Sequence, residues 1–410
     1  MKRIRDRVAG LDVHRDSVTA CARVVEAGEV VEDKERFATT VNGLAGLGSW
    51  LADHGVTTVA MEATGVYWKP VFYALEGLFD ELWLCNAVHV RNVPGRKTDL
   101  SDAEWLADVV AHGMVRASFV PPAPIRELRE LTRYRKTQVD ERGKEIQRLE
   151  KVLQDACVKL TSVASAVWSK SSRAMIEALI AGERDPNVLA GLAKGRMRAK
   201  NDALVEALAS NWRDHHSVVA RQIIAHIDFL DASIEELSVQ VAERCRPFDD
   251  LIERMSEVPG VNRLTCEIVI AETGADMSCF ETPERLCAWA GLAPANHESA
   301  GKRRPAGTRN GGRWLRRTLI ESGKSAARTK DTYLAAQYRQ IARRRGPNKA
   351  TVAVAHSTLT ILWHLMATGN PYQDLGVDYY QRRQDPQRQA QRLLRQLADL
   401  GYTATITPAA

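Results

Sequence analysis

Up to about residue 120 the apolar positions change period repeatedly, and beyond it they are almost entirely helical. Residues 7 to 13 (RVAGLDV) alternate loosely as a strand does, residues 18 to 25 offer a second strand returning from it, and residues 28 to 37 a third. Leu44, Leu47, Trp50 and Leu51 carry helical spacing across residues 43 to 54. A strand over residues 57 to 61 ends at Glu62, a helix is predicted over 71 to 78, a strand over 82 to 85 and a helix over 99 to 112. A three-strand meander followed by alternating helix and strand predicts a mixed sheet with helices on its faces. Pro121-Pro122-Ala123-Pro124 closes this unit and reads as a semi-rigid linker, because prolines hold their neighbours extended.

Beyond residue 124 the chain is helical and charged. Ile146, Leu149, Leu153, Ala156 and Leu160 recur at spacings of 3, 4, 3 and 4, and Ile223, Ile227, Leu230, Ile234, Leu237 and Val241 repeat the pattern. Two heptad seams flanked by charges predict paired long helices, within the chain or between subunits, as an extended coiled-coil arm; packing in an ordinary helix bundle is the alternative. Smaller helices fit the stretch between the seams. Near residue 251 a further helical region begins, with Val258-Pro259-Gly260-Val261 as a turn between two helices, and from Asp378 the chain is a Gln- and Arg-rich tail. The expected organisation is 1–124, 125–250, 251–377 and 378–410.

Composition sharpens this picture at two points. The seven cysteines are scattered and form no CxxC pair, which supports neither a disulfide framework nor a zinc site. No apolar leader succeeds the charged start, and the most membrane-like stretch, Ala350 to Gly369, carries His356 and His364 and reads as a buried helix. A cytoplasmic protein with no membrane partner is expected. The net charge of +6 conceals a polarity: between Gly301 and Ala350 fifteen Lys or Arg face two acids, a local +13, leaving −7 for the remainder. Such a local excess is the footprint of a polyanion-binding surface.

The candidate chemistry lies in four acids. Asp99 and Asp102 stand three apart in KTDLSDA, a spacing that puts both carboxylates on one helix face. Acids at a helix N-terminus are favoured by the macrodipole in any case. Asp12 and Glu62, however, fall at the ends of two predicted strands, so four carboxylates can converge at one sheet edge. An all-oxygen set of this kind suits Mg²⁺ or Mn²⁺, and two such ions can stabilise the attacking and leaving oxygens at a phosphodiester. The glycine turn at Gly260 has the form that presents backbone amides to a phosphate, and Lys302, Arg303, Arg304, Arg309, Arg313, Arg316 and Arg317 are the basic residues placed to meet one.

With these motifs the chain resembles the one-ten family of insertion-sequence transposases, relatives of the Piv DNA invertases. The matching stretches are GLDVHRDS around Asp12, MEATGVYW around Glu62, KTDLSDAEWLAD around Asp99 and Asp102, then VPGV, FETPERLCAWAGLAP, HESAGKRR and GGRWLRRTL. The resemblance spans nearly the whole chain, although the helical middle is longer than in compact members. It implies an N-terminal RNase H/RuvC-like domain with an Asp-Glu-Asp-Asp tetrad and a mainly helical C-terminal transposase domain whose catalytic serine is Ser299. It further implies a composite site drawn from different subunits, a homo-oligomer (a dimer, or a tetramer in the synaptic complex), donor and target DNA, and a structured non-coding guide RNA in a bacterial, nucleoid-associated setting.

Taken on its chemistry alone, a serine in a Gly/Ala-rich loop is a common turn former, and it becomes a nucleophile only when a base or metal activates it. Three functions therefore stand. In the first, a recombinase, Ser299 attacks DNA and forms a transient phosphoserine link. In the second, a metal-dependent nuclease or junction resolvase directs water at the phosphate. The third, a non-catalytic nucleic-acid-binding protein, has no use for four converging acids.

Overall fold

The computed structural model describes residues 4–94, 101–295, 298–299, 301–303, 307–308, 311–382 and 386–405. They fall into two compact units, Met1–Val120 and Pro121–Ala410.

In the first unit β1 (Arg7–Val13), β2 (Ser17–Glu26), β3 (Glu29–Ala38), β4 (Thr58–Glu62) and β5 (Glu81–Cys85) form one sheet in the order β3-β2-β1-β4-β5. The first three strands are antiparallel, and β4 and β5 run parallel to β1. This is the expected mixed sheet. Side chains alternate along each strand, so the sheet has two cores. On one face Ala9, Leu11, Val59 and Met61 pack with Leu47 and Leu51 of α1 (Val41–Asp53) and Val71 and Leu75 of α2 (Trp68–Leu75). The short α3 (Ala87–Arg91) precedes α4 (Asp102–Ala111), whose Trp105, Leu106, Val109 and Val110 cover Val8, Ala60 and Cys85 on the other face. α3 escapes the apolar pattern because it buries only Val90.

The helix expected from Asp99 starts at Asp102 instead. Ser101 is extended (φ −64°, ψ 159°) and caps it, its hydroxyl accepting the Glu104 N–H while the Glu104 carboxylate accepts the Ser101 N–H at 2.7 Å. That reciprocal pair satisfies two orphan donors and fixes the first turn. Asp99 lies outside the described residues.

In the second unit α5 (Ala123–Asp155) begins within the proline cluster. Pro122 is the extended N-cap, and Pro124 occupies the first turn, where a missing N–H is no loss. Residues 121–124 thus start a helix, not a linker. After α6 (Leu160–Val163), α7 (Lys170–Ala181), α8 (Pro186–Gly191) and α9 (Asn201–Leu208), α10 (Asp214–Cys245) returns antiparallel to α5. The direction is visible in the ion pairs Arg142–Asp231, Glu145–His226 and Asp155–His216.

The two heptad seams do pair, but inside the chain. Leu149, Leu153, Ala156, Leu160 and Ile227 are buried in a core that the chain completes with Met175, Ile176, Leu179, Leu189 and Leu208 from the intervening helices. The first seam is also broken at Ala156, the C-cap of α5, and Leu160 belongs to α6. Within the chain α5 and α10 thus run as long antiparallel partners, and the stretch around Leu149, Leu153 and Ile227 is packed into a bundle with α7 to α9.

The chain continues through α11 (Asp249–Ser256), α12 (Arg263–Thr273), α13 (Pro283–Trp289), β6 (Glu298–Ser299), β7 (Lys302–Arg303), α14 (Arg313–Ala326), α15 (Tyr333–Arg345), α16 (Pro347–Thr368), α17 (Tyr379–Arg382) and α18 (Pro386–Asp399). α16 is long and apolar enough to cross a membrane by length and composition. Here it packs against α13, α14 and α15 and buries Val354, Ala355, Leu359 and Leu362.

Helices on both sides of residue 250 are joined by buried ion pairs. Glu272 of α12 is 1% exposed and accepts two 2.7 Å hydrogen bonds from the Arg133 guanidinium, while Arg129 donates to the Ala271 and Glu272 carbonyls. Arg135, also buried, donates to Glu267 at 2.8 Å. Removing one partner of such a pair strands the other charge in a poorly solvated place. Because the Arg133 side chain is 37% exposed and can turn to water, Glu272→Ala should lower unfolding free energy by about 1.5–3 kcal/mol in urea titration; a loss of only a few tenths would show that Arg129 is solvated as well.

Candidate functional site

Two constellations carry chemistry, one in each unit. The first is built by the C-terminal ends of β1 and β4. Their parallel register sets Leu11 beside Met61, so Asp12 and Glu62 come next on neighbouring strands. Leu11 and Met61 face the α1/α2 core, which by alternation turns Asp12 and Glu62 towards the α4 face. What brings α4 close is Gly10. A Cβ built there would lie 2.6 Å from the Ala107 nitrogen and closer still to the Ala103 carbonyl oxygen. Any side chain at residue 10 would push the helix off the strand, and Asp102, adjacent to Ala103, would move with it.

The three acids sense one another. Burial raises the pKa of Glu62 above the ordinary carboxylate range, and the Asp102 and Asp12 charges raise it further; Arg91 and a hydrogen bond with Thr64 work the other way. Asp12 accepts a hydrogen bond or ion pair from His14 Nε2 at 3.1 Å. Glu104 takes no part in this cluster: its hydrogen bonds from Lys34 and Ser101 bring its pKa down to about 2.

Among the described residues only Asp155, His215 and His216 have ligand atoms all within 4.8 Å of one another, so Asp12, Glu62 and Asp102 are spread more widely than that. The histidine cluster is nonetheless a poor metal centre. His216 Nδ1 accepts the Arg213 backbone N–H at 3.0 Å, which leaves the proton on Nε2, and that nitrogen faces Asp155 at 2.9 Å. Both ring nitrogens are committed to capping α10 and tying it to α5.

The second constellation surrounds Ser299. β6 and β7 form a hairpin in which Ser299 is paired with Lys302 and Glu298 with Arg303, turning through Gly301 at φ +74°. Its neck is closed by a bridge between Pro294 and Thr308 and by the Ala295 N–H donating to the Gly307 carbonyl at 2.9 Å. The neck leads into the N-terminus of α14, where Gly312 N–H donates to the Trp289 carbonyl. Arg304 and Arg309 lie outside the described residues, as does His297.

The other basic positions divide by what they already hold. Arg316 donates to the Thr308 hydroxyl at 2.6 Å and so braces the neck. Arg317 is ion-paired with Asp140 and Glu321. Arg313 stacks its guanidinium 4.9 Å from the Trp314 ring centre, and with Lys324 it lines a concavity of about 540 Å³ along α14. Gly260 has a packing role that the motif alone did not reveal. At φ +81° its turn abuts α14, where a Cβ would meet the Ser322 carbonyl oxygen and the Ala326 nitrogen at 2.5 Å, and its carbonyl accepts the Ser322 hydroxyl at 2.8 Å.

The folded chain thus presents a mixed sheet with an acidic edge and a helical unit bearing a basic, serine-tipped hairpin. Residues 9–158 match the DEDD-type transposase model of the IS110 group, and residues 252–339 match the model described as Transposase IS116/IS110/IS902 family. The chain is 24% identical over 380 residues, 89% of its length and 91% of the relative's, to the transposase for insertion sequence element IS1111A of Coxiella burnetii. It is 27% identical over 294 residues, 66% of this chain and 71% of the relative, to the 42 kDa protein of insertion element IS900 from Mycobacterium paratuberculosis. The chain belongs to the IS110 family of transposases.

Two substitutions test the acidic edge. Gly10→Ala should displace α4 and cost about 1–3 kcal/mol through overpacking, read by thermal unfolding; an unchanged midpoint would show that α4 yields freely. For Glu62 the raised pKa means that the folded state favours the protonated acid, so the ionised group costs stability once pH exceeds that raised pKa. Glu62→Gln should therefore raise the unfolding temperature near neutral pH, and the gain should shrink as pH falls from the raised folded pKa to the ordinary glutamate value, below which wild-type Glu62 is protonated in both states. A gain independent of pH would contradict the charge cluster.

Proposed function

We propose that this transposase cuts and rejoins DNA through a transient bond between Ser299 and a DNA phosphate, assisted by a divalent cation held on Asp12, Glu62, Asp99 and Asp102. The observation that carries the reading is the mutual repulsion at the edge of β1 and β4, where burial and two like charges raise the pKa of Glu62. Asp12, Glu62 and Asp102 share one sheet edge but are spread more widely than the shell of one ion, so a hard cation such as Mg²⁺ or Mn²⁺ would draw them together, with water or substrate oxygens completing its shell. When bound, the cation supplies charge neutralisation at the phosphodiester and lowers the pKa of a coordinated hydroxyl. The sheet order supports an RNase H/RuvC-like reading of the first unit.

Ser299 supplies the nucleophile in this reading. Its oxygen forms the new bond to phosphorus, the bond to a sugar oxygen breaks, and that oxygen leaves as a hydroxyl. Attack by a hydroxyl of another strand reverses the exchange and frees the serine, so the phosphodiester is conserved without an external energy source. Lys302, paired with Ser299 across the hairpin, Arg303 and Arg313 offset the charge on the phosphate oxygens. Exchange between two duplexes requires several strand cuts, which supports a homo-oligomer acting at the nucleoid. The basic second unit equally suits the structured guide RNA that the family resemblance implies.

The test is a denaturing gel with labelled DNA carrying the element's ends. Wild type with Mg²⁺ should leave a protein-linked DNA band; Ser299→Ala should lose cleavage and the band while retaining DNA affinity, and Asp102→Asn should lose both activities with its fold intact. Cleavage by Ser299→Ala at the wild-type rate would leave a water-directed nuclease as the function, and full strand exchange in excess chelator would remove the cation.

A further inference from the structure

The long helices of the second unit hold several of their arginines in ion pairs. Arg129 and Arg133 hold Glu272, Arg135 holds Glu267, Arg142 holds Asp231, Arg173 holds Asp228 and Arg317 holds Asp140. Four arginines without such a partner lie close together. A groove of about 850 Å³ between α15 and α18 is lined by Arg339, Arg343, Arg344 and Arg392, with Gln340 and Gln396, and among the described residues no acid lines it. Among the described residues none of these four guanidinium groups has a hydrogen-bond or ion-pair partner. Tyr380 forms part of the wall, with its hydroxyl committed to Tyr333 at 3.2 Å.

Arginines in the last turn of a helix complement its dipole, which accounts for Arg343 and Arg344 one at a time. It does not account for Arg339, a turn earlier, nor for Arg392, which comes from another helix and faces the same space. Four like charges around one groove repel each other, and an anion between them removes that cost. A compact anion would meet one or two of them. A groove between two helices with cations on both walls instead matches a chain of phosphates, each taken by a guanidinium fork.

We propose that the groove between α15 and α18 is a phosphodiester-backbone site, distinct from the Ser299 hairpin and from the concavity along α14, and that α18 is held against α15 by the nucleic acid it grips. The proposal rests on the reading of this chain as a nucleic-acid-processing transposase. Its shared chemistry is the phosphate backbone, whether of guide RNA or of DNA, and the experiment separates the two.

Full-length protein is titrated against a labelled DNA duplex of about 25 base pairs and a labelled RNA hairpin of similar length, at several salt concentrations. The variants are the double substitution Arg339→Gln/Arg343→Gln, the single Arg392→Gln and the charge-conserving Arg343→Lys. Against one of the polymers the double variant should bind about tenfold or more weakly, with a salt slope shallower by roughly one per arginine removed. Arg392→Gln should weaken binding of the same polymer, and Arg343→Lys, which keeps the charge but loses the fork, should keep the salt slope while losing part of the affinity. The polymer affected is the occupant. Hydrogen exchange across Pro386–Asp399 of the wild type should slow when that polymer is added, a readout that needs no variant to fold. Unchanged affinities and slopes for both polymers, with Arg313→Gln still weakening binding, would overturn the groove and leave the proposed function standing. Unchanged exchange across α18 would overturn its closure on the nucleic acid. A wild type that binds neither polymer would overturn both readings.

Discussion

A single methyl group at residue 10 would collide with the backbone of α4 at Ala103 and Ala107. That prohibition organises the first unit. Gly10 lets a helix lie directly on a central strand, and the capping box at Ser101 and Glu104 fixes where the helix begins. Its first residue, Asp102, then stands over the strand end that carries Asp12. Parallel pairing with β4 adds Glu62 at the same level. The acid cluster is thus a by-product of backbone packing, and the repulsion it contains is sustained by the cores on both faces of the sheet.

The second unit solves a different problem with charge. Its long helices are rich in arginine, and those directed inward are neutralised one by one by acids from other helices, with Glu272 and Glu267 fully committed to this work. Such pairs add little net stability compared with apolar packing, but they penalise wrong alignments, because any slip strands a buried charge. Among the described residues, Arg313 on α14 and the four arginines lining the groove of α15 and α18 have no acid partner.

How far the sequence carried depended on the range of the signal. The sheet was legible because Arg7–Val13, Ser17–Glu26 and Glu81–Cys85 are short, mostly apolar runs with only loose alternation, and Asp12 and Glu62 were legible as the polar residues at or near the ends of such runs. The start of α4 was misplaced because the Asp99–Asp102 spacing imitates a helical face, whereas the decisive signal was the Ser101-x-x-Glu104 cap. The heptads showed that long helices pair but not with what, since a seam reads alike whether its partner is another subunit or the small helices α7 to α9 of the same chain. Strands of two residues fall below any periodicity, so the Ser299 hairpin looked like a loop. Arg316 and Arg317 looked like free cations because Thr308 and Asp140, their partners, are distant or of another type.

The closed neck beneath that hairpin has an evolutionary consequence. Because Pro294 meets Thr308 and Ala295 meets Gly307, the chain leaves the helical body and returns to it at one point. Lengthening or recoding the excursion then costs little, about 0.6 kcal/mol for each doubling of its length, and disturbs none of the packing below. Selection can therefore reshape the segment around Ser299 while Gly260, Gly311 and the helices they abut stay under constant constraint. Divergence among descendants of this chain should concentrate above the neck, where new substrates can be tried at low risk to the fold.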